Sequence, residues 1–534
     1  MADPESIYQS CFDLRWHFNP AAATEAGVVG QNSRLGDFDA ESMRAHMAAF
    51  RSMAFAVEAL ELNDIQAEID RTALLNDLRS TIFRFEHEEP HVRNPSFWLS
   101  HLYQALFGLL DRQDASPDQL ARDAMSRLRQ LPSFLSAALE TIRDPAPILL
   151  DTAHAMIPGG ESLLGQVARF CRESAGADLG EIDTVVAEAD AALARFSLAL
   201  TADVAVSEDP HAFAIGEEQF NRRLHFEYAL GGSAPELWRY GLHLIEEVEA
   251  SLETIAREID PGVGWRAQAE RLRVESPVPH NLIEYYRAAM ERARSFVRER
   301  DLVTVPEAPL DVITTPEFIR PLVPFAAYSP PGPFSADRTG RFYVTPQEAA
   351  SGTSRRSVHE LDSMALHVGF PGHHLHMLTL QSLASPVRRI LWSPHTVEGW
   401  ALYCEDMMGE EGFYPDPATR LFQQIHLLWR AVRVILDIGL HTRNMSPSAA
   451  ILFLLEKIPM DRSDAVAEVR RYCGMPTYQL CYAVGRRDIL ALRDDFKSRA
   501  GSAFSLRTFH DELLSYGGLP VSLARWGMNL DQDR

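Results

Sequence analysis

The sequence lacks the features of an exported, disulfide-stabilised or membrane-spanning protein. Its five cysteines are odd in number and form no C-x-x-C pair, so neither a disulfide framework nor a thiolate zinc site is indicated. The N-terminus has no basic start followed by an apolar stretch, so no signal peptide is predicted. Apolar runs such as Ala449 to Leu455 are far shorter than the roughly 20 residues of a membrane-spanning helix. We therefore expect a cytoplasmic protein with no membrane partner.

Positive charge is also scarce. The chain has 51 lysines and arginines against 74 acidic residues, for a formal charge of −23, which argues against binding of nucleic acid through its phosphates. A hydrophobic content of 46% with 23% charged residues is typical of a folded globular protein. At 534 residues the chain exceeds one ordinary core. We expect two lobes around a deep cleft.

The hydrophobic spacing predicts a mainly α-helical protein with a small β element. Residues 1–300 form a helical N-terminal lobe, and residues 351–534 form a second helical lobe that carries the chemistry. Between them, residues 301–350 are rich in proline, and two short extended stretches, Leu322 to Tyr328 and Arg341 to Val344, predict a β-hairpin. The three segments are expected to belong to one integrated domain.

Two long helices stand out. A capping box at Ser233–Glu236 predicts the start of one helix, and Asp260–Gly262 predicts its end. Apolar residues at helical spacing predict a second helix through Leu421–Gly439. Asp437 and His441 lie four positions apart on it, so they could share one face and form a hydrogen bond.

Four histidines occur within ten positions: His367, His373, His374 and His376. Neutral imidazoles bind zinc and other first-row metals, and such a site needs three or four converging ligands. His367 and His373 are six apart with Pro371-Gly372 between them, and this pair can kink the helix and let the chain turn back. We therefore predict that His367 and His373 bind one ion. The spacing of His373 and His376 offers an alternative pair on one helical face.

The third predicted ligand is Glu398, on another predicted helix. Glu405 lies seven residues, about two helical turns, further along the same face, where it can orient a ligand histidine. The expected cofactor is one divalent metal ion, zinc first, with iron or manganese as alternatives. Without a metal, the same residues would be packed histidines and an ion-paired glutamate.

The segments His367 to Leu375 and Glu398 to Tyr403 resemble the H-E-x-x-P-G-H-H and E-G-W-A-L-Y motifs of the bacterial family known as domain of unknown function 885. The resemblance covers nearly the whole chain and implies a zincin-like, mostly helical metallopeptidase fold. It also implies that His367, His373 and Glu398 are zinc ligands. Further matching segments are Leu428 to Arg433, Asp437 to His441, Arg471-Tyr472, Tyr482 to Gly485 and Phe509 to Asp511.

One departure from the family is serious. The glutamate that follows the first histidine, the expected general base, is Val368 here, and valine cannot transfer a proton. Loss of general acid–base help typically lowers rates by about 10²- to 10⁴-fold. The candidates to replace the base are Glu405, His374 and His376, and the candidates to stabilise an oxyanion are Tyr482 and His441.

These residues predict a metal-dependent, divergent hydrolase that cleaves an amide, peptide or ester bond of a small molecule or peptide. Arg430, Arg433 and Tyr328 are the predicted substrate-binding residues, although the two arginines also suit a buried ion-pair network. Tyr482 also suits a plain core position. Two other functions stay open: a non-hydrolytic metalloenzyme such as a non-haem iron oxygenase, and a catalytically inactive module that binds a peptide or protein.

Overall fold

A computed structural model describes residues 4–112, 115–174, 179–316, 320, 326–346 and 356–530 of the chain. Within these residues the protein is mainly helical, with one small sheet. No helix in the described part is long and apolar enough to cross a membrane. The α-helices are α1 (Pro4–Phe18), α2 (Pro20–Ala26), α3 (Ala40–Glu58), α4 (Ile65–Phe83), α5 (Pro90–Arg93), α6 (Pro95–Leu110), α7 (Pro117–Thr141), α8 (Pro147–Ser174), α9 (Leu179–Ala202), α10 (Gly216–Tyr228), α11 (Ala234–Ile259), α12 (Trp265–Glu275), α13 (Leu282–Glu299), α14 (Leu361–Val368), α15 (His373–Ser382), α16 (Pro386–Ile390), α17 (Pro394–Glu410), α18 (Pro417–Thr442), α19 (Pro447–Lys457), α20 (Arg462–Gly474), α21 (Cys481–Ala500), α22 (Leu506–Leu514) and α23 (Val521–Gly527).

The two long helices predicted from the sequence are confirmed as α11 and α18. The backbone N–H of Ser233 donates to Glu236 Oε2 at 2.7 Å, which closes the predicted capping box at the start of α11. Asp416 caps α18 by accepting a hydrogen bond from the backbone N–H of Thr419 at 2.8 Å. The two helices pack along each other, and Gly241 of α11 permits their close approach, because a Cβ there would lie 3.0 Å from the side chains of α18.

The small sheet has three strands: β1 (Leu310–Thr314), β2 (Ala326–Ser329) and β3 (Gly340–Val344). β3 is central, antiparallel to β2 and parallel to β1. The predicted hairpin is confirmed as the β2–β3 pair, although residues 322–325 of its first stretch lie outside the described residues. The sequence reading missed β1. β3 is buried along its whole length and packs under α13, where the rings of Phe342 and Tyr286 meet edge to face at 5.0 Å.

Two large apolar cores hold the helices together. The first includes Leu106 from the N-terminal helices and Trp400 from the C-terminal ones, and the second includes Leu244 and Leu436. Each core therefore takes side chains from both predicted lobes, so the two helical segments fold around shared cores. The boundaries at residues 300 and 350 and the deep cleft remain predictions.

Candidate metal centre

The turn between α14 and α15 places two histidines side by side. His367 lies in the last turn of α14, and His373 is the first residue of α15. Gly372 passes so close to α14 that a Cβ there would lie 1.9 Å from the carbonyl oxygen of His367. The Trp400 indole N–H donates to the Pro371 carbonyl at 2.9 Å and anchors the turn. As a result the two imidazole rings lie 4.7 Å apart between centroids, nearly perpendicular to each other.

A close crossing of α17 and α21 sets the position of the carboxylate. Gly399 and Gly485 meet at the crossing, and a Cβ on Gly485 would lie 1.9 Å from the carbonyl oxygen of His395. Both helix backbones therefore approach to a distance that only glycine permits. Glu398 on α17 directly precedes this crossing, and Tyr482 on α21 lies one turn before it. The crossing brings their side chains together.

The three predicted ligand side chains converge. His373 Nε2 lies 3.2 Å and His367 Nε2 lies 3.6 Å from Glu398 Oε2, and one donor atom from each residue lies within 4.8 Å of the others. Zinc bonds of about 2.1 Å in a tetrahedron place donor atoms about 3.4 Å apart. The side chains are only 8%, 13% and 13% exposed, in the order His367, His373 and Glu398. Two imidazoles and one carboxylate at this spacing fit a divalent metal ion, whose presence remains a prediction.

Hydrogen bonds from outside the cluster orient two of the three candidate ligands, His367 and Glu398. His367 Nδ1–H donates to Glu405 Oε1 at 2.7 Å. This is the contact that the helical spacing predicted for Glu405. The other ring nitrogen, Nε2, faces Glu398 and is the atom that could bind a metal. The hydroxyls of Tyr478 and Tyr482 donate to Glu398 Oε1 at 3.0 and 3.1 Å, so Oε2 remains on the histidine side. Sequence reasoning missed Tyr478, whose spacing of four residues from Tyr482 was the available signal.

Charge and burial act on these groups in opposite directions. Burial favours the neutral form of Glu398, but the charges and hydrogen bonds of His373 and His367 outweigh it and hold the pKa of Glu398 well below its usual range. Burial disfavours a charged His367, but its carboxylate neighbours outweigh that effect and raise its pKa. The negative charge of Glu398 and burial raise the pKa of Tyr478, and burial and Glu398 raise that of Tyr482. Both hydroxyls therefore keep their protons at neutral pH.

The other two histidines of the run point elsewhere. His374 Nδ1 is hydrogen-bonded to the hydroxyl of Tyr328 at 2.8 Å, and His376 Nε2–H donates to the carbonyl of Gly517 at 3.0 Å. Burial lowers the pKa of each to about 4. The alternative pair of His373 and His376 required His376 to lie in the cluster. The structure places it elsewhere. Tyr328 does border the site, because its ring stacks on His373 with centroids 6.4 Å apart.

His441 lies in an apolar core and not beside the candidate ligands. Its Nε2–H donates to the backbone carbonyl of Tyr472 at 3.0 Å, and its ring meets Phe213. Asp437 accepts a hydrogen bond from the backbone N–H of Thr477 at 3.0 Å. The predicted hydrogen bond between Asp437 and His441 is therefore wrong, because each side chain serves a backbone group of a neighbouring segment. These contacts give no support to an oxyanion role for His441.

The two predicted substrate arginines differ in their partners. Arg433 is ion-paired with Glu468 at 2.9 Å and donates to the hydroxyl of Tyr472 at 3.0 Å, as in the ion-pair alternative. Arg430 has no such ion pair among the described residues. The guanidinium carbons of Arg433 and Arg430 lie 5.3 and 6.0 Å from the ring centroid of Tyr482, so both border the tyrosine that contacts Glu398.

Val368, the residue that follows His367, is 6% exposed. It belongs to an apolar cluster with Met290, Val312 and Phe342, under the small sheet. A carboxylate at this position would lose its hydration. The valine is therefore packed as a core residue.

Two solved bacterial structures share this fold. One, from Shewanella oneidensis, is described as "a putative lipoprotein of unknown function"; it has 23% sequence identity and a TM-score of 0.83, with 99% of this chain and 100% of that chain covered. The other, described as "the putative lipoprotein" from Colwellia psychrerythraea, has 19% identity and a TM-score of 0.83, with 99% of each chain covered. At these identities the likeness concerns the fold alone. No curated protein matches the chain.

The sequence itself shows the family. The model of a family described as bacterial protein of unknown function (DUF885) matches residues 20–528, and the chain belongs to this family. The match includes all three candidate ligands. The family description names no activity, so the geometry of the site must carry any functional conclusion.

Proposed function

We propose that this protein is a metal-dependent, zincin-like hydrolase that cleaves an amide, peptide or ester bond in a small substrate. The observation that carries the proposal is the convergence of His367 Nε2, His373 Nε2 and Glu398 Oε2 in a nearly buried cluster. A zinc ion bound by three protein ligands supplies a Lewis acid and lowers the pKa of a water molecule in its open position.

The residues around the cluster support this proposal. Glu405 holds His367 by its Nδ1–H, which fixes the tautomer whose Nε2 can bind a metal. Tyr478 and Tyr482 hold Glu398 Oε1 and provide two protonated hydroxyls beside the site. In the proposed reaction, the single hydroxyl proton of Tyr482 turns from Glu398 Oε1 to the oxygen that becomes negatively charged as the substrate carbonyl is attacked, while Tyr478 keeps its hydrogen bond to Glu398.

A general base is the weak part of the apparatus. His374 and His376 are engaged with Tyr328 and Gly517, and neither faces the cluster. Of the predicted substitutes for the family glutamate, only Glu405 touches a candidate ligand. Hydrolysis is therefore expected to be slower than with a glutamate at position 368, by about 10²- to 10⁴-fold.

The test combines metal content with activity. The purified chain is expected to hold one zinc ion and to hydrolyse members of a mixed panel of acyl amides, short peptides and esters. A chelator should remove both properties, and one equivalent of zinc should restore them. A chain that stays metal-free at saturating zinc would contradict the proposal. The matched control is His376→Gln, which removes a histidine of the same run that does not face the cluster.

The buried, apolar Val368 favours a second candidate function, that of a non-haem iron oxygenase. Two histidines and one carboxylate with open positions also hold iron in such enzymes, and they need no glutamate base. Anaerobic loading with iron followed by measurement of oxygen consumption separates the two. Oxygen uptake with iron and no hydrolysis with zinc would favour the oxygenase, and the reverse result would eliminate it.

We also propose that the protein is located in the cytoplasm. All five cysteines are free and buried in the described chain, as suits a reducing compartment. The two structural relatives are described as putative lipoproteins, which points to an envelope location for those proteins. Cell fractionation tests the proposal for this chain, and recovery of the protein in the membrane fraction would overturn it.

A further inference from the structure

Arg430 is a buried cation without a carboxylate partner. The residue is 8% exposed. Its Nη1–H donates to the backbone carbonyl of His426 at 3.2 Å, and its Nε has no hydrogen-bond partner. Within the part of the chain that the structure describes, no carboxylate oxygen lies within 4.0 Å of its guanidinium. An unpaired buried charge is costly, so such a group usually has a partner.

Arg433, one helical turn further along α18, gives a direct contrast. It is equally buried, yet it binds Glu468 through Nη2 at 2.9 Å and the hydroxyl of Tyr472 through Nε at 3.0 Å. The same helix therefore carries one guanidinium that has an ion-pair partner. The other, three residues away, keeps donors to spare.

The unpaired guanidinium borders the candidate metal centre. The Arg430 Cζ lies 6.0 Å from the ring centroid of Tyr482, and the Tyr482 hydroxyl lies 3.1 Å from Glu398 Oε1. Burial lowers the pKa of Arg430. The negative charges of Glu405 and Glu398 oppose this effect and Arg433 adds to it, so the pKa stays below its usual value. Both acids are already hydrogen-bonded to other partners in the site.

The charges around the site do not balance. A divalent ion would be neutralised by Glu398 and Glu405, which leaves the charge of Arg430 uncompensated. Near Tyr482, one carboxylate, Glu468, is shared by two arginines, Arg433 and Arg471. The region beside the candidate ligands therefore carries excess positive charge, in a protein whose total charge is −23. An anionic group on the substrate would compensate it.

We propose that Arg430 binds a carboxylate of the substrate, which makes the substrate an N-acylated amino acid or short peptide with a free carboxylate near the cleaved bond. The planar guanidinium offers two parallel N–H donors that match a carboxylate, and an ionised partner makes these hydrogen bonds strong. This inference rests on the proposed function for the identity of the cleaved bond. The binding of a carboxylate at Arg430 can be tested apart from it.

The first experiment measures binding without catalysis. Glutarate and its uncharged diamide glutaramide are titrated into the full chain, with and without zinc, and Kd is taken from the rise in Tm. Glutarate should bind the wild type, and Arg430→Gln should weaken that binding by about 10- to 100-fold, while any binding of glutaramide should change little. The matched control is Arg443→Gln, which removes an arginine at the end of α18 that stacks on Trp238. It should bind glutarate like the wild type.

Each outcome separates the inference from the proposed function. If the chain takes up no zinc but Arg430→Gln still loses glutarate binding, the proposed hydrolase fails and the carboxylate site stands. If zinc binds and glutarate affinity is the same in wild type and Arg430→Gln, the carboxylate site is refuted. Absence of glutarate binding to the wild type also refutes it. Should Arg430→Gln not fold, Arg430→Lys keeps the charge without the planar fork, and undiminished affinity in that variant would overturn the proposed recognition.

The second experiment uses turnover. N-acetylated dipeptides are offered to the zinc-loaded chain as free acids and as C-terminal amides. The free acids should have the lower KM, and Arg430→Gln should raise KM for the acids by about ten-fold or more with little change for the amides. Equal KM values for acids and amides in the wild type would contradict the proposal.

Discussion

The four clustered histidines divide into two pairs with different surroundings, although His373 and His374, one from each pair, are consecutive in the sequence. His367 and His373 face the carboxylate of Glu398, whereas His374 and His376 are bonded to a tyrosine hydroxyl and a backbone carbonyl inside the core. Successive residues of a helix point about 100° apart. The comparison indicates that a dense run of histidines can contain both candidate ligands and core residues, and that the partner of each imidazole separates the two.

The largest effect is expected when one histidine of the first pair is replaced. His373→Ala leaves two ligands of three, so zinc affinity should fall by more than the roughly 100-fold expected for a supporting residue. Competition with a chromophoric chelator measures the change. His376→Gln is the control and should keep wild-type affinity. Equal losses in both variants would show that the two pairs do not differ.

Val368→Glu introduces the carboxylate that the resemblance in the sequence predicts after the first histidine. We expect metal-dependent hydrolysis to rise by about 10²- to 10⁴-fold if the carboxylate reaches the site. Thermal stability should fall, because Val368 is buried in an apolar cluster. Val368→Gln is the control: it has a similar shape and no base, so it should lose stability without gaining rate. Equal rates in the two variants would argue against a dormant hydrolase.

The core histidines should make stability depend on pH. Burial lowers the pKa of His441 from 6.5 to about 4. Between pH 6.5 and pH 4, this histidine is therefore protonated in the unfolded chain and neutral in the folded chain. Stability should therefore fall as the pH decreases from about 6.5 to 4, by at most about 3 kcal/mol for this residue. Urea unfolding across this range measures the slope.

His441→Gln should flatten that slope. The matched control is the exposed His243, whose replacement by glutamine should leave the slope unchanged. A slope that is the same in wild type and His441→Gln would mean that this core imidazole does not stay neutral.

The smallest expected effect concerns the tyrosines that hold the carboxylate. Tyr482→Phe removes one of two hydroxyls that donate to Glu398 Oε1, and zinc affinity should fall by about 10- to 100-fold. Tyr240→Phe is the control, because its hydroxyl donates to the backbone carbonyl of Ala483 nearby. Metal titration of both variants checks the prediction. An unchanged affinity in Tyr482→Phe would remove this residue from the support of the site.

The features that sequence reasoning found are those with local causes. The capping box at Ser233 marked the start of α11, and the spacing of Glu398 and Glu405 on one helix predicted the contact of Glu405 with the candidate ligand His367. The Pro371-Gly372 turn also depends on adjacent residues, and it brings His367 and His373 together as expected.

The features that it missed depend on partners far away in the chain. β1 forms because Leu310–Thr314 finds a parallel neighbour about thirty positions later, and such pairing leaves no local pattern. The spacing of Asp437 and His441 allowed a hydrogen bond between them. Instead, Asp437 accepts from the backbone N–H of Thr477, and His441 donates to the backbone carbonyl of Tyr472. Tyr478 reaches Glu398 only because α17 and α21 cross at two glycines.

The central claim is that His367, His373 and Glu398 hold one metal ion. X-ray absorption spectroscopy on the full chain, after one equivalent of zinc and removal of unbound metal, tests it most directly. We predict one zinc per chain with nitrogen and oxygen neighbours at about 2.0–2.2 Å, and loss of that signal in His373→Ala. A chain that retains no zinc, or a zinc bound by sulfur at about 2.3 Å, would contradict the account.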